Sequence, residues 1–176
     1  NKLIYSFHMP FFFMISGFLY NEIKYKNRFT FFLKNKISTL VWPFLTFSVI
    51  SYFTIFFLGF DELIANYSIK NFFLANKSIN TPLWFFTALF SVSVIFSFLI
   101  NFLSKKLFFL LIFIIVTIGF LNAKFFGFYF VLNLHLAFVG ILFFLIGWSL
   151  KKSDFINKIK TYNYFFFTMF IIIFFI

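Results

Sequence analysis

Apolar runs long enough to cross a bilayer constrain this chain more than any other feature it has. A transmembrane helix needs about 20 mainly apolar residues. Runs near that length lie at Ile4–Tyr20, Leu40–Phe60, Leu83–Leu103 and Leu134–Leu150, a shorter one at Leu107–Leu121, and another begins at Tyr162. Backbone groups in hydrocarbon must find their partners inside their own segment, so such runs cross as helices. Hydrophobic residues make up 63% of the chain and charged residues 11%, which leaves too little polar surface for a soluble globule. The expected fold is all-α, a polytopic helical membrane protein of about six transmembrane helices in one domain over residues 1–176. The chain opens on Asn1 and stops at Ile176 within an apolar run. It therefore reads as a fragment, and nothing ahead of its first run reads as a removable signal peptide.

The net charge of +11 comes from 15 Lys and Arg against four Asp and Glu, and its placement matters more than its size. Counting basic residues on alternating sides of the spans puts eleven on one side, in the loops around Lys24–Lys36, Lys105–Lys106 and Lys151–Lys160. The other side holds four: Lys2, Lys70, Lys77 and Lys124. Basic loops stay in the cytoplasm, so the first span is expected to start outside and end inside. Nucleic-acid binding is not expected, because the aromatics are Phe in lipid-length runs rather than residues interleaved with Arg along a polar groove. Cysteine is absent, which excludes disulfides and thiolate metal sites.

Between the spans, Asn21–Thr39 carries Glu22 and five basic residues around Phe29, Phe31, Phe32 and Leu33. That pattern suits a segment lying in the interface plane. Trp42 and Pro43 open the second span, where an aromatic belt residue and an early proline are both well tolerated. Asp61–Pro82 is the longest polar connection. The fourth span, 15 residues from Leu107 to Leu121, gives only about 22 Å of helix. It calls for small tilt, extension through Lys124 by snorkelling, or a locally thin bilayer. Asn122–Asn133 reads as an interfacial or re-entrant piece.

Candidate functional residues concentrate in the first span. His8 is an ionisable ring at membrane depth, which by default marks a functional site facing the interior or a wet cavity. Its imidazole can serve as a general base toward a hydroxyl; its structural reading is a ring bonded to a neighbouring helix or set among headgroups. Pro10 removes a backbone donor, Gly17 permits close helix approach, and Ser16 sits with them inside the span. The basic loop has two readings: contact with anionic lipid, or a pocket for a phosphorylated donor. His135 reads as structural, and the adjacent Asp61 and Glu62 as a solvated edge. No phosphate loop, Ser-His-Asp order or metal-ligand cluster is present.

Four stretches carry a resemblance. Phe7–Leu19, FHMPFFFMISGFL, resembles the FHMPLFFFISGFLF segment of the acyltransferase-3 family, bacterial multi-spanning enzymes that decorate surface polysaccharides. Lys36–Phe44 is similar to that family's basic stretch running into a Leu-Leu-Ile-Pro-Tyr-like helix start. Pro82–Leu89 is similar to its LWFLxAL helix start, and Phe143–Lys152 to its FFxxGYxLKK helix end.

The resemblance implies transfer of an acyl group, commonly acetyl, from acyl-CoA to a hydroxyl of a cell-surface glycan, in the bacterial inner membrane. It implies His8 as catalytic residue, Lys34 and Lys36 at the phosphates of the donor, and Ser16 and Trp84 in the substrate pocket. It also implies a helix upstream of Asn1 carrying a further His. No metal and no permanently bound cofactor are expected; the partners are acyl-CoA, the hydroxyl acceptor and the bilayer. A transporter or flippase for a lipid-linked saccharide is the competing class. That class calls for discontinuous helices in matching halves, and Pro10 has no counterpart.

Overall fold

The computed structural model describes residues 2–58, 83–128 and 130–153, and all regular structure among them is helical. The helices are α1 (Lys2–Leu19), α2 (Glu22–Tyr25), α3 (Phe29–Lys36), α4 (Trp42–Phe57), α5 (Trp84–Phe102), α6 (Lys105–Leu121) and α7 (Leu134–Lys152). Four stretches are long and apolar enough to cross a membrane: Phe29–Thr54, Trp84–Phe102, Lys105–Phe126 and Leu134–Lys152. The expected polytopic helical membrane protein is what the chain forms. The polar connection at 61–82 and the span expected from Tyr162 lie outside the described residues.

Helix α7 is the centre of the bundle and packs on α1, α5 and α6. In lipid, burying apolar surface drives helices together only weakly, so close packing depends on small residues that let backbones approach. The α1–α7 crossing has them. A Cβ on Gly17 would run into the backbone carbonyl of Phe144, and one on Gly147 into the carbonyl of Met14. Gly140 lies under the ring of Phe13, and a Cβ there would sit 3.2 Å from it. The pairs ascend together, Phe13 with Gly140 and Gly17 with Phe144, so the two helices run parallel. Gly119 performs the same service between α6 and α7, against Phe138.

Two segments depart from the sequence expectation. Asn21–Thr39 is not one interfacial piece. Asn21 caps α2 by accepting from the Lys24 N–H at 3.0 Å, and a turn with Asn27 at φ 57° leads to α3. Helix α3 then continues into α4 through a wider turn at Ile37–Val41, in which the Trp42 N–H reaches back to the Ile37 carbonyl. Pro43 supplies the reason. It has no N–H for the preceding turn, and its ring crowds the carbonyls there. A turn widened by one residue just ahead of it relieves both problems. Lys34 and Lys36 therefore stand on a membrane-entering helix rather than in a loop.

The second departure resolves the short fourth span. Helix α6 runs on through a similar wide turn at Asn122–Phe126, giving a 22-residue rod, Lys105–Phe126. Gly127, at φ 60°, ends it, with its N–H bonded to the Asn122 carbonyl at 2.7 Å. The Asn122 side chain clamps the return by donating to the Phe128 carbonyl and accepting from the Phe128 N–H. Within the stretch expected to be an interfacial or re-entrant piece, Asn122–Phe126 thus extends α6 and Val131–Asn133 forms a 3-10 turn leading into α7.

Candidate functional site

The end of the bundle where α1, α5 and α7 begin gathers three of the residues singled out in the sequence. His8 is exposed and meets Phe12 edge-on, with ring centroids 4.7 Å apart. Phe12 in turn meets Phe85 at 5.6 Å, and Phe85 meets Trp84 at 6.3 Å. His8 and Trp84 thus share one aromatic chain across α1 and α5. Ser16 is half-buried one turn inward from Phe12.

His135 stands at the same depth. Phe13 packs on Gly140 between parallel helices, so His8 and His135, five residues earlier on each, are level. Five residues carry each ring roughly 140° round from the shared contact face. The two imidazoles therefore point into different surroundings.

Asn133 anchors the start of α7. It is 2% exposed, and its amide donates to Thr87 Oγ1 at 2.9 Å and, more weakly, to the Trp84 carbonyl at 3.5 Å. Leu132 and Asn133 both hold positive φ, 56° and 53°, a conformation that costs a residue like Leu about 1 kcal/mol or more. Ser91 donates to the Leu132 carbonyl at 3.0 Å and helps fix that turn. The sequence reading missed Asn133; its one signal was an Asn directly before an apolar run.

From this end a polar seam runs inward between α5 and α1. Phe85, Leu89, Ser93, Ser97 and Asn101 recur every four residues on α5, so they form one stripe. Phe85 touches Phe12 and Phe13 of α1, and Ser97 accepts from the Tyr20 hydroxyl at 3.1 Å, so the stripe faces α1. Ser93 lies between them, fully buried, its hydroxyl without a partner among the described residues. A buried hydroxyl in that state costs more than a bonded one and marks a place where a ligand or water is useful. Asn101 donates to the Ser97 carbonyl at 2.8 Å and accepts from the Asn27 N–H at 3.2 Å. The seam is continued in this way to the loop after α2.

The opposite, Lys-rich end is open. A cleft of about 670 Å³ lies among α2, the α5–α6 turn and the end of α7. Lys26, Lys105 and Lys152 line it, with Glu22 as its one acidic residue among the described residues and Trp148 and Phe108 among its apolar ones. Lys152 is 3.8 Å from the Glu22 carboxylate, and its ammonium stands over the Trp148 ring at 4.7 Å. Lys151 donates to the Tyr20 carbonyl at 2.9 Å, a cation on the end of α1 where the helix dipole favours one.

Lys34 and Lys36 lie elsewhere on the same end. Lys34 is exposed; Lys36 is half-buried, with its ammonium 5.7 Å above the ring of fully buried Phe32. Neither lines the cleft. Among the described residues no three His, Asp or Glu come together as metal ligands.

The molecule thus has an imidazole end and a cationic end. Hydroxyls and amides run from Asn101 to Ser93 in the cationic half, and the apolar Leu89 and Phe85 lie between Ser93 and the imidazole end. No curated protein and no solved structure matches the chain. The family model described as an acyltransferase domain matches residues 1–176, the whole of this chain, and the chain belongs to that family, the acyltransferase-3 family.

Proposed function

We propose that the protein moves an acyl group, acetyl in the first instance, from acyl-CoA on the cytoplasmic side to a hydroxyl of a surface glycan on the other. Family membership supports a membrane acyltransferase in general. One observation favours the trans-bilayer form of the reaction. The hydroxyl- and amide-bearing stripe from Asn101 to Ser93 faces α1 and leads from the Lys-rich end toward His8 and Trp84.

On this reading the acyl-pantetheine arm lies along that seam, past Ser97, Ser93 and Ser16, with Trp84 beside the acceptor. His8 takes the proton of the acceptor hydroxyl as its oxygen attacks the thioester carbonyl. The C–O bond forms, the C–S bond breaks, and the thiolate leaves and is protonated to free CoA. Lys34 and Lys36 form the cationic approach that draws the donor's phosphates to the membrane. The Lys and Arg distribution supports an orientation with Asn1 outside, and the reading places the protein in a bacterial inner membrane.

The test is transfer of labelled acetyl from acetyl-CoA to glycan in membranes carrying the full-length protein. Incorporation should depend on the gene and fall by roughly 10²–10⁴-fold in His8→Ala, the range for loss of a general base. Because His8 is exposed, the variant should fold and insert as the parent does. Equal acetylation with and without the gene would overturn the reading.

A further inference from the structure

The cleft at the Lys-rich end is more than a consequence of basic loops. Lys26 comes from the turn after α2, Lys105 from the first turn of α6 and Lys152 from the end of α7, yet all three line one concavity. Scattered cytoplasmic lysines satisfy the orientation rule anywhere on that face, so their convergence on a cavity needs its own explanation. Like charges brought together repel unless an anion sits among them. Glu22 offsets one of the three, being 3.8 Å from Lys152, which leaves two positive charges over among the described lining residues.

The volume, about 670 Å³, lies inside the range of roughly 300–1,000 Å³ occupied by small-molecule sites. That is far more than one phosphate fills. The walls answer for the remainder. Phe108 and Trp148 lie tilted against each other, centroids 6.0 Å apart, with half-exposed Phe109 beside Phe108. Aromatic surface next to ammonium groups suits a planar base joined to phosphates. Ser104 and Ser149 add hydroxyls to the lining. Ser104 does not spend its side chain on capping α6.

We propose that this cleft is the seat of the donor's nucleotide end: Lys26, Lys105 and Lys152 hold its phosphates, and the aromatic wall of Trp148, Phe108 and Phe109 faces its base. The inference rests on the acyltransferase reading for the identity of the ligand. The phosphate-binding chemistry rests on the cleft alone. Glu22 is then a gatekeeping competitor, because the anion must take Lys152 from it. Ile100 and Leu103, at the end of α5, line the cleft, and Asn101 lies between them in sequence, so the cleft and the seam end on the same last turn of α5.

The experiment is equilibrium binding of coenzyme A, without an acyl group, to the full-length protein in nanodiscs of zwitterionic lipid. Phosphatidylglycerol serves as competitor. Lys105→Ala should weaken binding roughly tenfold, as loss of a charged phosphate contact does, and Lys105→Ala with Lys26→Ala roughly a hundredfold. Glu22→Gln should tighten binding several-fold, an effect of opposite sign that damage to the fold cannot produce. Lys106→Ala, in the same turn but outside the cleft, should bind as the parent does.

Coenzyme A affinity unchanged in Lys105→Ala and in the double variant overturns the inference. So does weaker binding in Glu22→Gln, or a cleft that responds to phosphatidylglycerol and not to coenzyme A. Binding is read without turnover. A protein that binds coenzyme A here but transfers no acetyl therefore keeps the cleft and loses the proposed reaction, and the reverse outcome does the opposite.

Discussion

The α1–α7 crossing and the rod from α3 into α4 are built from nearly the same apolar residues, and they behave in opposite ways. At the crossing, Gly17, Gly140 and Gly147 bring two backbones into contact, and large side chains fill the space beside them. Along α4, only Phe44 and Ser48 are buried among the described residues, and Phe47, Phe53, Phe56 and Phe57 stand exposed to what is lipid in a membrane. Apolar content is no guide to which helix is held. In a chain with 40 Phe, what distinguishes a protein-facing surface from a lipid-facing one is where side chains are missing.

The sharpest way to break that comparison is Gly147→Leu. Its Cβ would meet the Met14 carbonyl and come near the Phe18 N–H, backbone atoms that cannot swing aside. The helices must part, and the cost should exceed about 3 kcal/mol, at the upper end for overpacking. Thermal unfolding in detergent reads it as a large drop in midpoint or as failure to accumulate. Gly17→Leu should match it, since its Cβ meets the Phe144 carbonyl in the same way. A stable Gly147→Leu protein would mean that α1 is free to move off α7.

The second prediction moves from packing to polarity. Asn133→Leu removes the donor to Thr87 Oγ1, and it puts a bulky residue at φ 53°. Loss of a buried bond and left-handed strain together should cost about 2 kcal/mol. Asn133→Gly keeps the backbone conformation without strain. The difference between the two variants, read in the same unfolding assay, separates hydrogen bond from turn. It also asks whether the imidazole end is held as firmly as the crossing: activity lost in Asn133→Gly at unchanged stability would show the anchor serving the site.

These residues also show what was legible in advance. The spans and the family could be read because each is a continuous stretch: a length of apolar residues, or FHMPFFFMISGFL in one piece. Gly17 was visible as a small residue in a span, but its partner Gly147 was not, because pairing depends on register between distant helices. The run of α3 into α4 was hidden by Lys34 and Lys36, which read as loop residues although long cationic side chains reach the interface from a helix. Pro43, read as part of a helix start, does lie in the first turn of α4, but the widened turn ahead of it joins α4 to α3. The cleft was least legible of all. Lys26, Lys105 and Lys152 are separated by tens of residues, and each alone looks like any other cytoplasmic charge.

A smaller effect is expected at the seam. Tyr20→Phe keeps a ring that lies edge-on to Phe32, Phe96 and Phe144 and deletes only the hydroxyl donated to Ser97. Side-chain hydrogen bonds between membrane helices are worth about 0.6 kcal/mol on average, so stability should barely change. If the seam carries the acyl arm, transfer activity should change more than that figure implies. An activity loss of tenfold with an unaltered unfolding midpoint would set the seam apart from both the crossing and the rod.

The rod itself supplies the smallest effect and the cleanest control. Phe53 is 53% exposed on α4, five residues beyond buried Ser48 and so on another face of the helix. In water, trimming an exposed phenyl changes the solvation of both folded and unfolded states. In a bilayer, hydrocarbon takes the place of the lost ring, and the helix keeps its backbone bonds. Phe53→Ala should therefore shift stability by less than about 0.5 kcal/mol, as at surface positions elsewhere. Phe96→Ala, by contrast, removes a fully buried ring in contact with Tyr20, Phe108, Phe144 and Trp148, and should cost about 3 kcal/mol or more. Equal costs at the two positions would mean that α4 presses on a protein surface instead of lipid, and the contrast between rod and crossing would then be one of partner rather than of packing.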